Sequence, residues 1–124
     1  MTITDLYQIC SAYRGVTESF PFDEETLVFK VGGKIFLLTS LVGWESGNPS
    51  VNLKCNPERA LELREEYMAV QPGYHMNKKH WNTVFVHQDL PLQEIKKLID
   101  HSYELVFQQL SKKLQEEINN AELK

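Results

Sequence analysis

FKVGGKIF, residues Phe29 to Phe36, decides the fold class. Two runs of β-branched and aromatic residues, Leu27 to Val31 and Lys34 to Leu41, are joined by Gly32-Gly33. A glycine pair supplies the positive φ values that a two-residue hairpin turn demands. The stretch therefore predicts two antiparallel strands. Downstream, Gly43 to Pro49 is rich in turn residues and leads into Ser50 to Cys55. There Val51, Leu53 and Cys55 alternate with Asn52 and Lys54, the period-two pattern of a half-buried strand. A third strand continues the meander. Upstream, Ser19 to Phe22 reads as a short strand before a turn at Asp23-Glu24-Glu25.

Helical signals flank this middle. Thr2 to Arg14 carries Leu6, Ile9, Cys10 and Tyr13 on one face, with Thr2 and Asp5 at capping-box spacing and Gly15 as a stop. Asn56-Pro57 announces a second helix, because Asn caps well and Pro is tolerated at the first helical position. Trp81 to His87 reads as another strand. From Pro91, the apolar stripe Ile95, Leu98, Ile99, Ser102, Val106 and Leu110 predicts one long helix, extended by Leu114 and Ile118. The order helix, meander, helix, strand, long helix predicts a two-layer α+β domain, an antiparallel sheet with helices on one face. One domain fills 1–124, with 111–124 as a helical C-terminal extension. The last apolar residues of that extension are expected to outlast the core and to offer a stripe to a partner or a second copy.

The chain has 124 residues, 42% of them hydrophobic and 24% charged, which suits one globular domain. The net charge of −4 argues against coating nucleic acid by bulk charge, while leaving room for a local basic face. Cys10 and Cys55 stand without a CxxC and are expected as buried free thiols. No apolar run approaches membrane length, and the first residues lack a basic, apolar leader pattern. A cytoplasmic protein is expected.

Three blocks then resemble the MmcQ/YjbR family: FKVGGKIF, LKCNPERALELRE (Leu53 to Glu65) and PGYHMNKKHWNTV (Pro72 to Val84), followed by SYELV at Ser102. The resemblance implies a CyaY-like fold related to a double-wing DNA-binding arrangement, in which sheet hairpins approach DNA. No catalytic residues come with it.

PGYHMNKKHW is chemically the densest of these blocks. His75 and His80 are five residues apart, which aims them at one ion neither on a helix nor on a strand. No metal and no cofactor is expected. No acid lies between Met68 and Gln88 to orient a histidine base, and neither a P-loop nor a GxGxxG is present, so no enzyme and no small-molecule substrate is expected. What remains is contact with phosphates. His75, Asn77, Lys78, Lys79 and His80, joined by Lys30, Lys34 and Lys54 from the meander, are the expected nucleic-acid contacts, with double-stranded DNA as the partner. Asn82 and Tyr74 offer further hydrogen bonds. Trp81 is expected to anchor the fold, and Trp44, between Gly43 and Gly47, to stand exposed at a hairpin tip. The rival class is a protein-interaction module or homodimer using a sheet edge or the C-terminal helix.

Overall fold

The computed structural model describes residues 1–74 and 76–121. Helix α1 (Ile3–Ser11) starts with a complete capping box. The Thr2 N–H donates to the Asp5 carboxylate at 2.7 Å, and the Asp5 N–H donates to the Thr2 hydroxyl at 3.2 Å. The chain then enters β1 (Val16–Ser19), so the first strand lies N-terminal to the expected Ser19 to Phe22. Phe20 and Phe22 follow it in the connection, where Asp23 ties the turn by accepting from the Glu25 and Thr26 N–H groups at 2.9 and 2.7 Å.

Strands β2 (Thr26–Val31) and β3 (Lys34–Ser40) form the hairpin that FKVGGKIF predicts, with Val31 opposite Lys34. Their register shifts between Phe29 and Lys30, because Phe29 faces Leu37 while Lys30 faces Ile35. The bulge turns both Phe36 and Leu37 into the core, where each is fully buried. A short helix α2 (Leu41–Ser46) comes next, then β4 (Ser50–Lys54). Helix α3 (Pro57–Glu66) opens as expected on Asn56, whose side chain accepts from the Glu58 and Arg59 N–H groups at 3.0 and 3.3 Å. Strands β5 (Val70–Pro72) and β6 (Trp81–Phe85) and helices α4 (Leu92–Gln108) and α5 (Lys112–Ala121) complete the described chain.

Among the described residues, six strands make one antiparallel sheet in the order β1-β2-β3-β4-β6-β5. One face carries Leu27, Phe29, Val31, Leu37, Val51, Leu53 and Val84, which pack against α1 and α4 through Leu6, Cys10, Ile95, Ile99, Tyr103 and Val106. This is the two-layer α+β arrangement the element order predicts. No helix among the described residues is long and apolar enough to cross a membrane. Cys10 and Cys55 are buried free thiols. Burial pushes Cys10 up to about 12, with the Glu18 charge adding to the effect.

Two expectations need correction. Trp44 is not at an exposed tip. It lies in α2, half-buried, and its indole N–H donates to the Thr39 hydroxyl at 2.9 Å. Gly47, with φ +84°, ends that helix rather than extending a loop. The C-terminal stripe is not free either. The chain turns at Gln109–Ser111, and α5 folds back so that Leu110 and Ile118 are buried. A Cβ at Gly32 (φ +58°) would lie 2.6 Å from Leu110 Cδ1, and one at Gly15 (φ +70°) would lie 2.8 Å from Ile118 Cγ2. Both positions need glycine for backbone and for space, and both seat the last helix on the sheet.

Candidate functional site

Sheet register brings the expected basic residues to one end. The β2–β3 turn, the exit of β4 and the entry of β6 share it, because Val31 faces Lys34, Leu37 faces Leu53, and Lys54 faces Trp81. Lys30, Lys34, Lys54, Lys78, Lys79 and His80 therefore lie at this end, although they come from three separate segments, and Lys34 and Lys54 are close enough for their charges to interact. His75 lies outside the described residues. The acids Asp23, Glu24, Glu25, Glu45 and Asp89 belong to connections at the other end of the strands.

Each basic segment is held by the fold. At Lys54 the β3–β4 ladder stops, and the buried Ser102 hydroxyl of α4 takes over the next step. It donates to the Phe36 carbonyl and accepts from the Lys54 N–H at 2.9 Å. Phe36 and Lys54 are the pair that would follow Leu37 and Leu53 in register. The Lys54 ammonium donates to Gln109 Oε1 at 3.0 Å, which leaves two of its three protons. Partial burial lowers its pKa, and the like charge of Lys34 lowers it further. Among the described residues no carboxylate forms a salt bridge with Lys30, Lys34, Lys54, Lys78 or Lys79.

The turn ahead of β6 is built from its own polar groups. Asn77 Oδ1 accepts from the Lys79 N–H at 2.9 Å, and the Asn77 carbonyl accepts from the Trp81 N–H at 2.9 Å. Lys78 Nζ donates to the Gly73 carbonyl at 3.1 Å. Arg64, which is not among the expected contact residues, locks this turn to α3. Its Nε donates to Asn82 Oδ1 at 2.7 Å, and its terminal nitrogen donates to the Lys78 and Trp81 carbonyls. Asn82 is buried, so the side chain expected to meet phosphate instead joins α3 to β6. Trp81 is half-buried, and the His80 carbonyl accepts from the Cys55 N–H at 2.7 Å. Glu58 borders the Lys78–Lys79 turn beside Leu61 and Arg64, and α5, seated on Gly32 and Gly15, brings Glu116 and Glu117 toward this end as well.

The face of the sheet away from the helices carries a second feature. Leu38, Asn52, Thr83 and Gln71 are paired across four strands and so share this face. Thr83 Oγ1 accepts from the Tyr74 N–H at 3.0 Å and donates to Asn52 Oδ1 at 2.6 Å, and Asn52 Nδ2 reaches the Leu38 carbonyl at 3.4 Å. Over this floor runs a trough of about 520 Å³. Ile35 and Leu38 line its base, Phe22, Tyr74 and Met76 its walls, and Asp23, Thr26 and Ser40 one end.

Comparison with known proteins bears out the family resemblance. The YjbR family model matches residues 11–105. The chain is 40% identical over 99 residues to the Escherichia coli protein YbdF, covering 80% of this chain and 79% of the relative. It is 38% identical to Escherichia coli YjbR, covering 84% and 86%. Among solved structures, a Deinococcus radiodurans protein with a DUF419 domain superposes with a TM-score of 0.87 at 37% identity, covering 95% of this chain and 88% of that one. A Pseudomonas syringae protein at 23% identity shares the fold with a TM-score of 0.71, covering 86% and 99%. On sequence and on structure alike, the chain belongs to the YjbR family.

Proposed function

We propose that this protein is a non-enzymatic binder of double-stranded DNA, gripping the phosphate backbone with Lys30, Lys34, Lys54, Lys78 and Lys79. The observation that carries the reading is their convergence. Five lysines spread over fifty positions of sequence lie at one end of the sheet, with no carboxylate bridged to any of them among the described residues. Burial lowers the Lys54 pKa first, and the like charge of Lys34 lowers it further, so these two ammonium groups feel each other. A phosphate between them relieves that repulsion. The net charge of −4 leaves room for a local basic end, since Asp23, Glu24, Glu25, Glu45 and Asp89 belong to connections at the far end of the strands.

The test is fluorescence anisotropy with labelled duplex DNA across a salt series. Five phosphate contacts give a slope of log affinity on log salt of about −4.5, or roughly a 500-fold loss between 50 and 200 mM salt. Replacing Lys34 and Lys54 together with Ala lowers the slope by about 1.8, as does replacing Lys78 and Lys79. No binding at low salt, or slopes unchanged in both double variants, refutes the proposal.

A further inference from the structure

The trough on the open sheet face has the chemistry of a nucleotide site, and we infer that it binds a single nucleotide carrying an exocyclic amino group. The base lies on Leu38 among Phe22 and Tyr74, with its polar edge toward Asp23 and its phosphate at Lys30. Four observations lead there. A cavity of about 520 Å³ is within the range of small-ligand sites. Its walls hold two aromatic rings that the fold leaves largely in solvent, Phe22 at 67% and Tyr74 at 71% exposure. Exposed aromatics beside an aliphatic floor favour a flat ring, because every base offers a face for stacking.

Polar groups sit where a ring edge needs them. Asn52 keeps one amide proton and one oxygen lone pair outside its bonds to Thr83 and Leu38. Asp23 closes one end of the trough beside Ser40; its Oδ1 is held by the Glu25 and Thr26 N–H groups, and its Oδ2, which accepts from the Thr26 hydroxyl at 3.2 Å, keeps a lone pair for a donor. A carboxylate only accepts, so it favours the exocyclic amino groups of guanine, adenine or cytosine over uracil, whose single ring N–H stands between two carbonyl oxygens that a carboxylate repels. A lipid chain leaves these groups unpaired.

Charge runs along the trough. Thr26 and Ser40 mark the Asp23 end, and Lys30, the strand partner of the lining residue Ile35, lies beside the other. Thr26 to Lys30 spans about 13 Å of extended strand, the scale of one nucleotide. The carboxylate thus faces a donor-bearing edge and the ammonium an anion, the polarity of a nucleoside monophosphate.

The same chemistry arrives as a free mononucleotide or as an unpaired nucleotide of a single strand. Titrations followed by amide NMR separate the sources. The probes are guanosine monophosphate, uridine monophosphate, inorganic phosphate and a single-stranded oligo-dC. Saturable shifts at Leu38, Asn52, Tyr74 and Thr83 are expected with guanosine monophosphate, weaker ones with uridine monophosphate and none with phosphate. The same shifts with oligo-dC alone assign the site to a strand's base and equally support the inference. Phe22→Ala and Tyr74→Ala, both at exposed positions, weaken binding roughly 5- to 100-fold. Lys34→Ala/Lys54→Ala leaves mononucleotide affinity unchanged while weakening duplex binding, so the two readings fail separately. The inference is overturned if neither guanosine monophosphate nor oligo-dC shifts these amides, or if both aromatic variants bind as the wild type does.

Discussion

Replacing Ser102 with Ala removes the hydroxyl that splices α4 into the β3–β4 ladder. Ser102 is fully buried, and its oxygen serves the Phe36 carbonyl and the Lys54 N–H together. A methyl group there strands both. An unsatisfied buried acceptor or donor costs about 1–3 kcal/mol. The Phe36 carbonyl belongs to a fully buried residue, while Lys54 is half-buried and water relieves part of its loss. The two together come to about 2–4 kcal/mol, offset by roughly 0.5 kcal/mol because Ala is the better helix former. The net loss, about 1.5–3.5 kcal/mol, lowers the melting temperature of a domain this size by roughly 5–15 °C. Urea denaturation measures it, with Glu104→Ala on the exposed side of α4 as the control. Amide exchange adds a local readout, since the Lys54 N–H is protected in the parent and exchanges freely in Ser102→Ala. A loss below about 0.5 kcal/mol, equal to the control and with Lys54 still protected, refutes the splice.

Two further outcomes follow from buried titratable groups. Cys10 is fully buried with its thiol pushed up to about 12, and burial raises Cys55 despite the charges of Arg59 and Arg64. A disulfide-exchange reagent at mildly alkaline pH is therefore expected to modify neither thiol in the native protein and both in denaturant; fast labelling of the folded chain contradicts this. His101 Nε2 accepts from the Asn56 N–H at 3.2 Å, which requires a neutral ring, and burial followed by the Arg59 charge lowers its pKa below 6.5. The unfolded chain then binds the proton more readily, so this contribution is complete above pH 6.5 and is lost as pH falls through the lower folded value. The urea midpoint of the parent should fall over that window more steeply than that of His101→Gln; parallel curves dismiss the role.

The parts of the fold that were legible in sequence are those fixed by local chemistry. Gly32-Gly33, the Thr2–Asp5 box, Asn56-Pro57 and the alternation of Val51, Leu53 and Cys55 each act over a few residues, and each stands as read. Strand β5 was hidden because it has three residues and ends in Pro72. Proline lacks the ladder donor, and it is tolerated here because β5 pairs only with β6 at the sheet edge. The break between α4 and α5 was hidden for a different reason. Leu110, Leu114 and Ile118 continue the helical period of α4, and no glycine or proline interrupts it, yet the chain must turn to bring them onto Gly32 and Gly15. The composition of the basic end was readable residue by residue, but its convergence depends on strand order. The trough draws on Phe22, Leu38, Asn52 and Tyr74, from four separate stretches, and leaves no local signature.

Rigidity at the basic end bears on how many contacts to count there. Arg64 lies among the lysines and looks like a sixth phosphate ligand in a charge tally. Its guanidinium is already committed to Asn82 and to the Lys78 and Trp81 carbonyls, in a fixed planar geometry. Diverting it to a phosphate would release the turn that carries Lys78 and Lys79. Ser102 has the corresponding part at Lys54, where it fixes the backbone and leaves the ammonium at the surface. Both residues hold lysine-bearing segments in place before any ligand arrives, which reduces the ordering cost of binding. The proposed duplex contact is therefore counted as five lysines and not six cations.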